Sequence, residues 1–342
     1  MSANLKFKLM LLDNIIWLMI AVFFVICALA VEEFATTGNI VNILYHSSIM
    51  CLLVLAEGFV LISGKLDLSI DGILAFAPGL VILAAAKWFP GTFMANPYLC
   101  LVLTIGVGGL IGLFNGFCVA RLQMNPFMQT LSMSIILRGL VLFLIPLSIF
   151  PLNPVYSFVG KARFDFLGHT VPVAIVVVLA IYILFSFILR KTVFGRNYMA
   201  TGGSERASYV AGINTRRMVM YGFAIAGMLA ALAGILTAGR QDSVSNTMGT
   251  GSVMLAFAGA LLGGTTLDGG KGTAFGMLGG ALLLGMFSNA LNLRGVPVTL
   301  VHAAQGTLIF LAILVDRFRM QLRARILRNE QLKKIMAEEA VE

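Results

Sequence analysis

RKTVFGRNYMATGGSERASYVAGINTRR, residues 190–217, is the longest polar interval between the first and last apolar stretches of a 342-residue chain. Arg190, Lys191, Arg196, Arg206, Arg216 and Arg217 stand in it against a single acid, Glu205, and long apolar sequence flanks it on both sides. Loops that keep Lys and Arg lie on the cytoplasmic face of a membrane, so this one is expected there. Within it, Ser204 can cap a first helical turn, Glu205 suits the positive end of a helix dipole, and Gly212 can end the helix in a left-handed conformation. The pattern predicts a short cytosolic helix over 204–212, placed where a partner can dock.

The composition agrees with a membrane setting. With 59% hydrophobic and 11% charged residues and a mean hydropathy of +0.96, the chain is far from a soluble globule, whose charged share is nearer a quarter. The fold class expected is all-α: a polytopic integral membrane protein. A net charge of +9 would suggest nucleic acid in a soluble domain; here the basic residues fall between and after apolar runs, which is topology, and no nucleic-acid partner is expected. Cys27, Cys51, Cys100 and Cys118 lack CxxC spacing, and His46, His169 and His302 match no ligand motif, so no metal is expected. GGTTLDGGKGT, residues 263–273, resembles a phosphate loop but has Thr265 where the first glycine of GxxxxGK[ST] belongs and Gly272 where Ser or Thr belongs. No nucleotide site is expected in this chain.

Lys6 and Lys8 precede an apolar run that closes on Ala28-Leu29-Ala30, as in a signal peptide. The uncharged stretch from Asn14 to Val31 is 18 residues long, enough to span the hydrocarbon core at about 1.5 Å per residue, and is expected as a first membrane helix. Ten such segments follow one another, roughly 14–31, 40–62, 72–86, 98–120, 128–149, 171–189, 218–238, 252–266, 274–293 and 298–315. An even count puts both termini on one side. Of the 24 basic residues, 18 then lie with the termini and the 190–217 loop, five lie opposite, and Arg138 falls inside a span. Both termini are therefore expected in the cytoplasm. From Asp316 a basic amphipathic tail, 316–342, is expected to lie on the cytoplasmic lipid surface.

The chain also carries a weak internal repeat. Gly64-Lys65-Leu66-Asp67 answers Gly239-Arg240-Gln241-Asp242, Asn115 answers Asn289, and Pro126 answers Pro297, at offsets of 175, 174 and 171. Spans 2–5 (about 40–149) thus map on spans 7–10 (about 218–315), and an offset of five helices makes the second copy inverted. The two shortest spans, 72–86 and 252–266, correspond in the two copies, and each follows a polar turn. Such interrupted segments expose backbone to polar ligands. Asp67, Ser69, Asn115, Asp242 and Asn289, with Lys65, are accordingly candidates to line a path for a small polar substrate. Glu57 and Arg138 lie within spans, where charge is costly, and are expected to pair with each other.

Four segments resemble one family. SGKLDLSIDG (63–72) is similar to GGIDLSVG, NPFMQTLSMSIILRG (125–139) to PPFIATLGMxxILRG, GRNYMATGGSERASYVAGIN (195–214) to GRxxYAIGGNxEAAxLSGI, and LGGTTLDGGKGT (262–273) to LGGTSLxGGxG. These are motifs of the permease subunits of bacterial ATP-binding cassette importers of the ribose, xylose, arabinose and galactose group. The resemblance implies a non-enzymatic transport subunit in the plasma (inner) membrane, multi-pass, dimeric with a second copy or a paralogue. It implies a binding protein that delivers a sugar, and cytosolic ATPase subunits that bind the ATP, so that no cofactor resides in this chain. It also implies that Arg196, Ser204, Glu205, Arg206, Ala207, Gly212 and Asn214 couple to the ATPase. Lys65 replaces a glycine of the family pattern and SVMLAFAGA (252–260) lacks the acidic pair of ELDAIAA; this substitution pattern predicts a more anionic ligand than a neutral pentose. Import of nucleosides or branched-chain amino acids is the alternative within the family. Outside it stands an ion-coupled secondary transporter using Glu57 or Asp67.

Overall fold

The computed structural model describes residues 15–166 and 168–311, with 314, 321, 325, 326 and 328. Helices coincide with all ten apolar segments: α1 (Ile15–Ala30), α2 (Thr37–Ile62), α3 (Ile70–Leu83), α4 (Pro97–Ala120), α5 (Pro126–Leu144), α7 (Val173–Lys191), α10 (Thr215–Gln241), α11 (Ser252–Leu262) and α12 (Ala274–Leu293), and α13 (Val298–Leu311). Seven of these, α2, α3 with its continuation to Trp88, α4, α5, α7, α10 and α12, are long and apolar enough to cross a membrane, whereas α1, α11 and α13 are shorter. Between them lie α6 (Pro154–Lys161), α8 (Val193–Gly203) and α9 (Glu205–Val210). The chain is a multi-pass, all-helical membrane protein apart from a small hairpin, β1 (Arg163–Phe166) with β2 (His169–Pro172), paired antiparallel from Arg163↔Pro172 to Phe166↔His169. The tail from 316 lies outside the described residues save for the four named.

Local chemistry sets where helices begin. α4, α5 and α6 each start on an Asn-Pro step, in which the Asn96, Asn125 and Asn153 side chains accept from the backbone N–H two residues on at 2.9, 3.0 and 3.1 Å. The proline at the first helical position gives up an N–H that would have no partner there. The expected fifth span to 149 is shortened: α5 stops at Leu144 because Pro146 cannot continue it. Ile149 instead forms an isolated bridge with Val244, at the turn after α10.

Packing places two long helices at the centre. From Cys51 to Ile62 every residue of α2 is buried, the mark of a helix enclosed on all sides. α2 packs on α11 and α12, α10 packs on α3 and α4, and the two lie against each other. Helices of 40–149 and of 218–315, the two expected repeat segments, therefore pack across one another. Bare glycines let the backbones close: a Cβ at Gly227 of α10 would strike the Gly108 carbonyl of α4, and one at Gly280 of α12 the Gly259 carbonyl of α11. Pro78 inside α3 leaves the Leu74 carbonyl without its helical donor. Gly234 of α10 sits directly against that carbonyl.

Candidate functional site

The 190–217 stretch folds as a two-helix element. Thr192 caps α8 by accepting from Gly195 N–H at 3.1 Å, Ser204 caps α9 by accepting from Ala207 N–H at 3.3 Å, and Gly212 takes φ +83° just beyond it. Asn214 caps the next helix, accepting from Arg217 N–H at 3.1 Å. Arg196, Glu205, Arg206 and Ala207 are exposed. Beside them the six-residue α9 presents Tyr209, 73% exposed, and Val210, 82% exposed. Arg121, Tyr209 and residues 212–216 line a cleft of about 420 Å³ next to it.

This element is seated firmly in the bundle. Tyr198 of α8 is wholly buried, donates its hydroxyl to the Phe59 carbonyl of α2 at 2.7 Å, and stacks between Phe59 and Phe194. A Cβ at Gly202 would meet the Ile62 carbonyl at the end of α2. Gly270 N–H donates to that same carbonyl at 2.8 Å. The glycines of GGTTLDGGKGT thus fit a tight turn against α8 and the end of α2. Lys65, just past α2, places its ammonium 3.5 Å from the Glu205 carboxylate.

Lys65 thus lies at the loop face, paired with Glu205 of α9. The anionic-ligand expectation rested on Lys65 and on the missing acidic pair of 252–260, and Glu205 answers the first of these charges. The expected Glu57–Arg138 pair is corrected. Arg138 Nη2 lies 3.2 Å from Asp71 Oδ2 and Nη1 donates to the Met248 carbonyl at 2.7 Å, tying α5 and α3 to the turn before α11. Asp71 of α3 claims the arginine, and Ser134, one helical turn before Arg138 on α5, donates to Asp71 at 3.2 Å. Glu57, wholly buried, instead accepts from Asp67 N–H at 3.4 Å.

Asp67, Ser69 and Asn115 form one network, all three wholly buried, in which Asp67 Oδ2 has no hydrogen-bond partner among the described residues. Asp67 Oδ1 accepts from Ser69 N–H at 2.9 Å and Ser69 Oγ at 2.6 Å. Asn115 donates to Ser69 Oγ at 2.8 Å and accepts from Gln129 at 3.4 Å. Burial pushes the Asp67 carboxyl up to about 6, with the Ser69 bonds working against it. This network knits the turn between α2 and α3 to α4 and α5. Asp242 lies at the far end of α10 in the left-handed conformation, φ +56°, accepting from Ser157 and 3.9 Å from Lys161 Nζ.

Of the six expected path residues, Asn289 faces a cavity. That cavity, about 400 Å³, lies between α2, α11, α12 and α13 toward the face opposite the 190–217 loop, and is lined by Asn39, Asn42, His46, Ser47, Ser288, Asn289, Asn292 and Gln305 among apolar neighbours. Asn39 and Asn289 bond reciprocally, each donating to the other's carboxamide oxygen at 2.9 Å. Except for Asn289, sequence inspection passed over these residues. Their signal was helical: Asn39, Asn42 and His46, and Asn289 and Asn292, recur at spacings of three and four, a polar stripe along otherwise apolar helices.

The multi-pass helical bundle carries the exposed α8–α9 element at one face and a polar cavity toward the other, an arrangement that fits a membrane permease. The chain belongs to the family described as "Branched-chain amino acid transport system / permease component", which it matches over residues 39–314. It is 35% identical to the ribose import permease protein RbsC of Bacillus subtilis (strain 168), over 86% of this chain and 89% of that one. It is 32% identical to the D-allose transport system permease protein AlsC of Escherichia coli (strain K12), over 85% and 86%. To the L-arabinose ABC transporter permease protein AraH of Azospirillum brasilense it is 30% identical, over 88% and 86%. No solved structure matches the chain.

Proposed function

We propose that the chain is the permease subunit of an ATP-driven bacterial importer, carrying across the inner membrane a monosaccharide or sugar derivative that a binding protein delivers. The observation that carries this is the likeness, over more than four-fifths of each chain, to permeases named for ribose, D-allose and L-arabinose. A separate cytosolic ATPase supplies the energy and binds the ATP, and the functional unit pairs two permease chains, identical or paralogous. Both termini and the α8–α9 element face the cytosol, and helices α2–α5 and α10–α13 form two inverted repeats. Exchanged packing of α2 on α11 and α12, and of α10 on α3 and α4, supports that symmetry.

In this arrangement α9 sits in a groove of the ATPase, with Tyr209 and Val210 as its apolar contact. Movement there reaches Ile62, Lys65 and Gly270 directly. α2 and α12 both run from that seat to the cavity, so ATP-driven displacement of α9 acts on two cavity walls. Co-expression with the ATPase tests the coupling: Tyr209→Asp with Val210→Asp is expected to abolish co-purification of the ATPase and its stimulation by loaded binding protein, while the chain still inserts. Undiminished stimulation contradicts it.

A further inference from the structure

The cavity holds an unanswered donor. Ser47 is 2% exposed, lines the cavity, and its hydroxyl has no hydrogen-bond partner among the described residues. A buried hydroxyl left alone is costly, and most such groups find a partner. Gly285 of α12 faces it: a Cβ there would collide with Ser47 Oγ, so the space around the hydroxyl exists because residue 285 carries no side chain. Nearby, the Asn39–Asn289 pair joins α2 to α12 by two bonds, and Gln305 donates to Ser288 Oγ at 2.8 Å. Among the described residues no Asp, Glu, Lys or Arg lines this space, and His46 is its one titratable side chain. Carboxamides and hydroxyls offer a donor and an acceptor each, the match for a ligand hydroxyl, whereas a carboxylate or ammonium would be desolvated with no opposite charge to meet it.

We propose that this cavity is a selectivity site for an uncharged, hydroxyl-bearing solute, in which Ser47 takes up a ligand hydroxyl and the reciprocal Asn39–Asn289 pair is the latch that ligand hydroxyls open. Two amide–amide bonds exchange for bonds to the solute, so α2 and α12 separate without leaving polar groups bare. The site rests on the transport function proposed above and adds to it which side chains choose the cargo and on what ground, charge. It reverses the expectation of an anionic ligand.

Labelling and transport arms separate the two claims. Ser47→Cys in the assembled complex, with the native cysteines all buried, is treated with 2-hydroxyethyl methanethiosulfonate and with its anionic 2-sulfonatoethyl counterpart, and Phe93→Cys on an exposed turn gives the intrinsic rate ratio. The neutral reagent is expected to label position 47 at least about tenfold faster relative to that control, because the described lining carries no Lys or Arg to meet the sulfonate. Equal relative rates, or no labelling by either reagent, overturn the selectivity site whatever the cargo. In the transport arm, Ser47→Ala, which removes an unpartnered hydroxyl and so breaks no protein bond, is expected to raise the KM for D-ribose about three- to tenfold with D-ribonate untransported. An unchanged KM, or preference for ribonate, overturns the site. A wild-type complex that moves no neutral monosaccharide under ATP overturns the transport function, and the labelling ratio still decides the cavity.

Discussion

Asp67 shows what a single residue's surroundings do that its type does not announce. In an unfolded chain its carboxyl releases its proton near 3.8, and in the fold burial pushes this up to about 6. The folded protein thus holds the proton more tightly. Stability from this group is present below the unfolded value and is lost as pH rises from 3.8 through about 6. Asp67→Asn keeps the acceptor oxygen for Ser69 and removes the charge, so its melting temperature should exceed wild type at pH 7.5, by a free energy on the order of 3 kcal/mol, with the gap closing near pH 4. A gap of the same size at both values contradicts the assignment. At this scale the sequence was only partly legible. Asp67, Ser69 and Asn115 stood out as polar residues in apolar company, but a buried hydrogen-bond network and an open path use the same residue types. Lys65 read as a substrate cation because its partner, Glu205, lies 140 residues on, and no local spacing connects them.

Among elements, α8 and α9 are proposed to carry the coupling. The ends of α9 were readable in sequence, since Ser204 and Gly212 act through neighbours one turn away, whereas α8 and the seat were not: the seat is built from Phe59, Ile62 and Gly270, distant in the chain. Tyr198→Phe removes the buried bond to Phe59 and leaves a carbonyl unanswered. It should cost about 1–3 kcal/mol and speed hydrogen exchange across 193–210 more than in α4 or α7. Exchange unchanged in that segment would mean that the tyrosine does not hold the element. Helix positions were legible because span length and apolarity are local properties. The end of α5 was misjudged by five residues, since apolar residues continue past Pro146 although the helix does not. The 163–172 hairpin went unread, because strands of four residues are too short for an alternating pattern to register.

Across the whole molecule, two exchanged helix groups enclose α2 and α10, and the docking element and the cavity lie at opposite ends of the same helix. α2, 26 residues long, spans roughly 39 Å, with Asn39 and His46 near one end and Ile62 against Gly202 and Gly270 at the other. That continuity supports the proposed route from α9 to the cavity. The proposed repeat rests on matching residues at similar offsets, which do not foretell surroundings: Asn115 is held in a network while Asn289 faces the cavity, and only the packing around each decides which. The central claim is that ATP, through a partner bound at α9, drives a neutral sugar through this chain. It is tested by uptake of radiolabelled D-ribose, D-allose and L-arabinose into proteoliposomes holding the permease, its ATPase and the binding protein, with ATP supplied on the α9 side and ionophores collapsing every ion gradient. Uptake that requires ATP and persists under ionophores is predicted; uptake that stops with the gradients and proceeds without ATP would contradict the account.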